Sequence, residues 1–309
     1  MKRLQLIVLL SVFSLAVAQK PIIFRDNAKN PKVTIQGNQG FLIPGNGPTA
    51  PGSFELTGNV QIQRAIKDAE TLMTCGKASG IFFKKDGTTE VDKIRMTDGI
   101  HFTQKGKASS VDATGSSANY DIKDSLKEVT INGDVKVSFE GTSEGTTTKK
   151  DGSKTPNKTN STMTTTSKSA TITFKTVLDD KKNESSEIQS AIVRGPIHMT
   201  GVQLVRDADG EKLQRVTAKA DQMRYTIRGD SENPEVTLEG NLEFQSVDAT
   251  GEGATVDGGD RLVLVLNKKN EIIKLKFIAP EGKQVKSTVF RGDAPKKVDE
   301  KSKKKNGGA

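Results

Sequence analysis

Along most of this chain apolar side chains occupy every second position, and a glycine recurs at the centre of the apolar set. In VTLEGNLEF, Val236, Leu238, Leu242 and Phe244 share one parity with Gly240 between them. FELTGNVQI sets out Phe54, Leu56, Gly58, Val60 and Ile62 in the same way, and VTINGDVKV sets out Val129, Ile131, Gly133, Val135 and Val137. VRGPIHM is a shorter copy, with Val193, Gly195, Ile197 and Met199. PKVTIQGNQGF is a degenerate one, with Val33, Ile35, Gly37 and Phe41. IRMTDGIHF keeps Ile94, Met96, Ile100 and Phe102, but Asp98 stands where the glycine belongs and Gly99 comes one position late. A last copy, IIKLKFIA, has Ile273, Leu275, Phe277 and Ala279 and no glycine. Period-two alternation with charged residues opposite predicts antiparallel strands that bury one face.

Segments of a second kind lie between these copies: KASGIFF, GSSANYDI, KSATITF, AKADQMRYTI and GATVDGGDRLVLVL. Each begins with small or polar residues and ends in alternation. The unit is therefore a small-rich strand, a charged turn and a glycine-centred strand, repeating roughly every 35 to 45 residues. Strands of about ten residues span roughly 33 Å, and a flat sheet of them would leave its apolar face in water. The sheet must fold over onto itself or pair with another. A glycine at mid-strand on the buried face predicts the place where it bends, because no Cβ obstructs the fold there.

The recurring LTGNV, TINGDVKV and TLEGNLEF, interleaved with segments such as ADQMRYTI, resemble the OstA-like family. That family contains the periplasmic lipopolysaccharide-transport (Lpt) bridge components. The resemblance runs from about Lys32 to Ile278. It implies an all-β fold, a twisted, partly open antiparallel β-jellyroll made of a creased sheet of repeated strand pairs. Its apolar interior would carry the acyl chains of lipopolysaccharide or another anionic envelope lipid. Three features depart from the short bridge proteins: the insertion after Phe139, Asp98 in its repeat, and a basic tail.

The remaining sequence sets the compartment. MKRLQLIVLLSVFSLAVAQ combines two basic residues, an apolar run and Ala16-Val17-Ala18, which reads as a signal peptide over 1–18. The apolar run is shorter than the roughly 20 residues of a membrane span, and no cysteine follows the cleavage site to carry a lipid. A soluble periplasmic protein is the expectation, with jellyroll repeats over 19–288 and a basic disordered tail over 289–309. The Thr-, Ser- and Lys-rich stretch 141–169 has no apolar periodicity and reads as a flexible loop or a poorly paired hairpin. The formal charge is +9, much of it in the tail, which suits an anionic partner or simple solubility. Nucleic acid is not expected as a partner, since no aromatic-rich basic stretch is present. Cys75 is the only cysteine; it cannot form an internal disulfide and reads as a buried filler.

Catalytic chemistry finds few carriers. His101 and His198 are the only histidines and fall on outward parities, so neither a His-based triad nor a metal site is expected. VDATG, at Val111 and again at Val247, reads as turn chemistry, as do the RGD triplets at Arg228 and Arg291. No phosphate loop, dinucleotide fingerprint or serine elbow occurs. The expectation is a binding protein with neither cofactor nor metal. Its candidate lipid-lining residues are Phe54, Leu56, Val60, Ile62, Val129, Ile131, Val135, Val137, Val236, Leu238, Leu242 and Phe244. Shielding a twelve-carbon chain is worth on the order of 10 kcal/mol, at roughly 0.8 kcal/mol per methylene. Unclosed sheet edges near Pro31 and Ile273 would pair with other β-jellyroll transport proteins or with further copies of this chain. Two other readings stay open: a structural envelope scaffold with a sealed interior, and a polysaccharide-active enzyme on a β-solenoid.

Overall fold

The computed structural model describes residues 21–25, 33–46, 50–66, 69–85, 88–106, 109–123, 126–148, 153–178, 184–207, 210–226, 233–266, 272–279 and 286–290. The signal-peptide cleavage region, both RGD triplets and the tail beyond residue 290 lie outside them.

The strands are β1 (Ile22–Arg25), β2 (Val33–Gly37), β3 (Gln39–Ile43), β4 (Gly52–Ile66), β5 (Ala69–Lys85), β6 (Thr88–Thr97), β7 (Ile100–Gly106), β8 (Ser109–Gly115) and β9 (Ser117–Lys123), followed by β10 (Leu126–Thr148), β11 (Lys154–Leu178), β12 (Glu184–Asp207), β13 (Gly210–Thr226), β14 (Glu235–Asp248), β15 (Gly253–Leu266), β16 (Ile272–Ile278) and β17 (Lys286–Phe290). All belong to one antiparallel sheet that does not close into a barrel. The tail therefore begins later than residue 289, because Val289 and Phe290 pair with Ala254 and Gly253.

A crease divides the sheet into two wings, and the long strands run through both. β4 pairs with β3 before the crease and with β2 after it. β5 pairs first with β7, then with β6; β10 pairs first with β9, then with β8. The front wing thus holds β2, β7, β8 and β17, the back wing β3, β6, β9 and β16, and the long strands supply the rest of each. Ring pairs bridge the space between the wings: Phe102 with Phe174 at 5.9 Å and Phe244 with Phe277 at 6.3 Å. Two sheet halves face each other across one continuous apolar core, as the alternation requires.

The crease itself differs from the expected bend. Gly58–Asn59, Asp98–Gly99, Gly133–Asp134 and Gly240–Asn241 are consecutive residues with positive φ, from 44° to 79°. Strand register slips at three of these pairs, between Thr57 and Val60, between Asn132 and Val135, and between Glu239 and Leu242. The glycine does not face the interior. At Gly240 it takes a left-handed conformation while half-buried, and a Cβ there would lie 2.5 Å from Asp221 Oδ2 on the adjoining strand. Asp and Asn tolerate the same conformation. That is why Asp98–Gly99 makes the same corner in reversed order. Backbone bonds stitch successive corners together, among them Asn38 N–H to Gly58 O at 3.0 Å and Ser116 N–H to Asn132 O at 2.8 Å.

The corner also changes which residues face inward in the first repeat. Phe41 opposes Glu55, whereas Leu42 opposes the buried Phe54. Phe41 therefore sits on the outer face, 52% exposed, and does not join Val33 and Ile35 in the core.

Across the back wing one inward row reads Leu56, Ala78, Met96, Ala118, Ile131, Ala170, Val193, Met223, Leu238 and Leu262, each the register partner of the next. Through its first half large side chains alternate with alanines. The small-rich strands supply the alanines, so large and small side chains interdigitate along the row.

The described part of the Thr-rich insertion, residues 141–148 and 153–169, is regularly paired rather than a loop. β10 and β11 stay in register from Gly141–Ser161 to Thr148–Lys154. β11 pairs on its other side with β12, from Lys158–Arg206 inward. Threonine is a strong strand former, and hydroxyls and amides link across the strands, Ser138 with Thr164 at 3.2 Å and Thr142 Oγ1 to Asn160 Oδ1 at 3.2 Å.

Candidate functional site

All twelve residues proposed as a lining face inward. Phe54, Leu56, Val129, Ile131, Val236 and Leu238 lie on the back wing; Val60, Ile62, Val135, Val137, Leu242 and Phe244 lie on the front wing. None is more than 5% exposed. Most of them close against one another as packed core. Of the twelve, Val236 lines the apolar cavity described next, and Phe54 borders a shallower depression near Phe41, Lys93 and Arg95.

The cavity, of about 230 Å³, lies between the wings near the middle of the molecule. Phe139, Met163, Met199 and Val216 form its front-wing side, and Ile188, Met223, Tyr225, Val236 and Leu264 its back-wing side. It exists because one side chain is missing. Met163, Gly201 and Val216 are consecutive register partners in a row of the front wing. A Cβ at Gly201 would meet only Thr162 O at 3.5 Å and Val216 Cβ at 3.9 Å, which are ordinary contacts. Three methionines around the gap, Met163, Met199 and Met223, have unbranched side chains that adapt to irregular occupants.

Two residues further along each strand, on the same face, the apolar row gives way to Gly141, Ser161, Gln203 and Gln214, again consecutive partners. Gln214 Nε2 donates to Ser246 Oγ at 2.9 Å, which orients its amide. Glu140 is the one charged residue among the described residues that line the cavity. Burial pushes the Tyr225 phenol above its ordinary pKa, so it stays neutral and can donate a hydrogen bond.

Sequence reasoning missed this site. Met163 lies inside the segment expected to be a flexible loop or a poorly paired hairpin, and the apolar repeat through Ile197 ends at Met199. The signal was the break after Met199, where Gly201 and Gln203 continue the parity without apolar side chains.

Other candidate chemistry falls elsewhere. His101 and Asp112 meet at 2.6 Å on the outer face of the front wing, both about half exposed, and His198 is also exposed. Asp112 thus places the first VDATG within a strand, whereas Asp248 of the second caps a turn. Its Oδ1 accepts from Thr250 N–H, Thr250 Oγ1 and Glu252 N–H at 2.7–2.9 Å, and these bonds hold its carboxyl below the usual range. Cys75 is buried and donates to Lys77 O at 3.2 Å. Burial pushes its thiol up to about 11, with the Lys77 bond opposing and Asp98 adding to the rise. Arg64 of the front wing is buried and donates to Tyr120 of the back wing. Burial raises the Tyr120 pKa, with the guanidinium acting against it. Among the described residues no group of three His, Cys, Asp or Glu side chains could hold a metal ion.

Comparison with protein-family models, curated proteins and solved structures finds no match to this chain.

Proposed function

We propose that this chain is a lipid-binding protein of the cell envelope, which shields acyl chains between the two wings of its creased sheet. The observation that carries the reading is the apolar, methionine-rich cavity opened by Gly201. A methylene group fills roughly the 30 Å³ of a water molecule, so 230 Å³ accepts on the order of eight methylenes of one chain. Their burial is worth about 6 kcal/mol, enough for a carrier to compete for lipid without any covalent step. The OstA-like resemblance supports the same reading and suggests a periplasmic carrier of lipopolysaccharide or a related envelope lipid.

The ends of the sheet support pairing with further β-jellyroll chains. β3 ends the back wing with Phe41, Leu42 and Ile43 all exposed, and β16 ends it on the other side with Leu275 exposed. Apolar strands at unclosed edges favour strand addition by another chain.

A scaffold without cargo is the second reading, favoured by the close packing of the other eleven proposed lining residues. One measurement separates the two. The protein is extracted from its native envelope without detergent, and the bound lipid is identified by mass spectrometry. The carrier reading expects lipid in stoichiometric amount with the chain; its absence under these conditions refutes the reading and favours the scaffold.

A further inference from the structure

We infer that the Gly201 cavity selects a single-chain lipid with an uncharged, hydroxyl-bearing headgroup and discriminates against a phosphate-bearing one. This rests on the lipid-binding reading, names the class of ligand for that site, and departs from the anionic lipopolysaccharide that the OstA-like resemblance suggests.

The argument starts from the order of rows on the inner face of the front wing. The apolar row of Phe139, Met163, Gly201 and Val216 takes the chain. The next inward-facing row, Ser161, Gln203 and Gln214, then meets whatever the chain is attached to. These are a hydroxyl and two amides, which both donate and accept hydrogen bonds. Such groups suit glycerol or sugar hydroxyls, which do the same.

Charge points the same way. The row continues from Gln214 to its partner Asp248, whose carboxyl is held below the usual range and so stays ionised. Glu140, the one charged residue at the cavity wall, stands on the opposite parity and is exposed, so its carboxylate points outward and leaves the inner rows neutral there. A phosphate placed against this row would find no Lys or Arg among the described residues that line the cavity. A charge taken from water without a partner is strongly disfavoured.

Basic residues do occur further out on the same strands: Lys212, two residues past Gln214 on the same face, is exposed opposite Val205, and Lys158 and Arg206 are opposed by acids. Glu144, Lys158, Arg206 and Glu211 form one cross-strand row of consecutive partners. In it Lys158 Nζ lies 3.9 Å from Glu144 and Arg206 Nε lies 2.6 Å from Glu211. That row is neutral overall and lies on the opposite parity from the cavity.

The test uses the mature protein and two probes with the same chain, monooleoylglycerol and oleoyl lysophosphatidate, each below its aggregation concentration. Binding is read by native mass spectrometry and by displacement of an environment-sensitive dye. Monooleoylglycerol is expected to bind at least tenfold more tightly. Gly201→Phe and Gly201→Leu, whose side chains enter the gap, are expected to weaken its binding tenfold or more while the circular dichroism spectrum and Tm stay those of a folded protein. Replacing both Gln203 and Gln214 with leucine is expected to bring the two probes within threefold of each other.

Equal or tighter binding of lysophosphatidate, still lost in the Gly201 variants, overturns the headgroup inference and leaves the lipid-binding reading standing. Monooleoylglycerol binding that is indifferent to both folded Gly201 variants overturns the location. Failure of the wild-type protein to bind either probe overturns the lipid-binding reading itself.

Discussion

Replacing glycine by alanine at positions 240 and 201 should change stability in opposite directions. Gly240 has φ of +75°, a conformation that costs an L-residue roughly 1–2 kcal/mol. The added Cβ would also lie 2.5 Å from Asp221 Oδ2 and 3.0 Å from Asp221 Cβ and Cγ. Asp221 must then turn away, which breaks its 2.8 Å bond from Asn241 Nδ2, worth about 1 kcal/mol. Against this stands a gain of about 0.4–1 kcal/mol from the stiffer unfolded chain. Gly240→Ala should therefore cost about 2 kcal/mol. Gly201 needs no left-handed backbone, and its Cβ has room. Only the unfolded-state gain applies there, so Gly201→Ala should stabilise by roughly 0.5–1 kcal/mol. Urea unfolding followed by far-ultraviolet circular dichroism measures both, the shift in midpoint giving the difference at constant m. A Gly240→Ala protein within about 0.5 kcal/mol of wild type, by this measure, would refute the account of the crease. So would Gly201→Ala being the costlier of the two.

The remaining predictions concern the space between the wings and two titrating groups. Phe102→Ala should cost about 3–5 kcal/mol, and a double-mutant cycle with Phe174→Ala should give a coupling of about 0.5–1.5 kcal/mol, since the rings lie 5.9 Å apart; strict additivity would mean that the wings do not face each other there. The Cys75 thiol, pushed up to about 11, holds its proton in the folded state after the unfolded chain has lost it. Stability should therefore fall as pH rises from about 9 toward 11, and thiol labelling at pH 8 should follow unfolding; rapid labelling of the folded protein contradicts this. Asp248 has the opposite sign. Its depressed pKa adds stability above the ordinary carboxylate value of about 3.9, lost as pH falls through the folded value. Asp248→Ala should remove that pH dependence, and an unchanged acid-unfolding profile would discount the turn bonds.

What could be read from the residues, and what could not, follows from how far apart the interacting groups lie along the chain. Parity within a strand is local, so the residues alone put Leu238 and Phe244 on the buried face, where they lie. The glycines also mark the crease, at Gly58, Gly133 and Gly240, but not its cause. The pattern of spacings shows where a side chain is missing, whereas the reason lies in a backbone φ and in Asp221 on another strand. Alternation puts Phe41 on the face of Val33 and Ile35, yet it lies on the other one because a corner at Asn38 shifts parity by one, and the pattern carries no mark of such a shift. The Thr-rich segment misled for a different reason. Its lack of apolar residues argues against a core, yet strands need partners for their backbone more than apolar side chains, and β10 and β12 supply them on both sides. The cavity required more still. Met163, Gly201, Val216 and Leu264 come from four strands, and a void forms only where their rows meet between the wings. A glycine reads the same in a sequence whether it bends a strand, as Gly240 does, or leaves room, as Gly201 does. Only the atoms that a Cβ would meet tell the two apart.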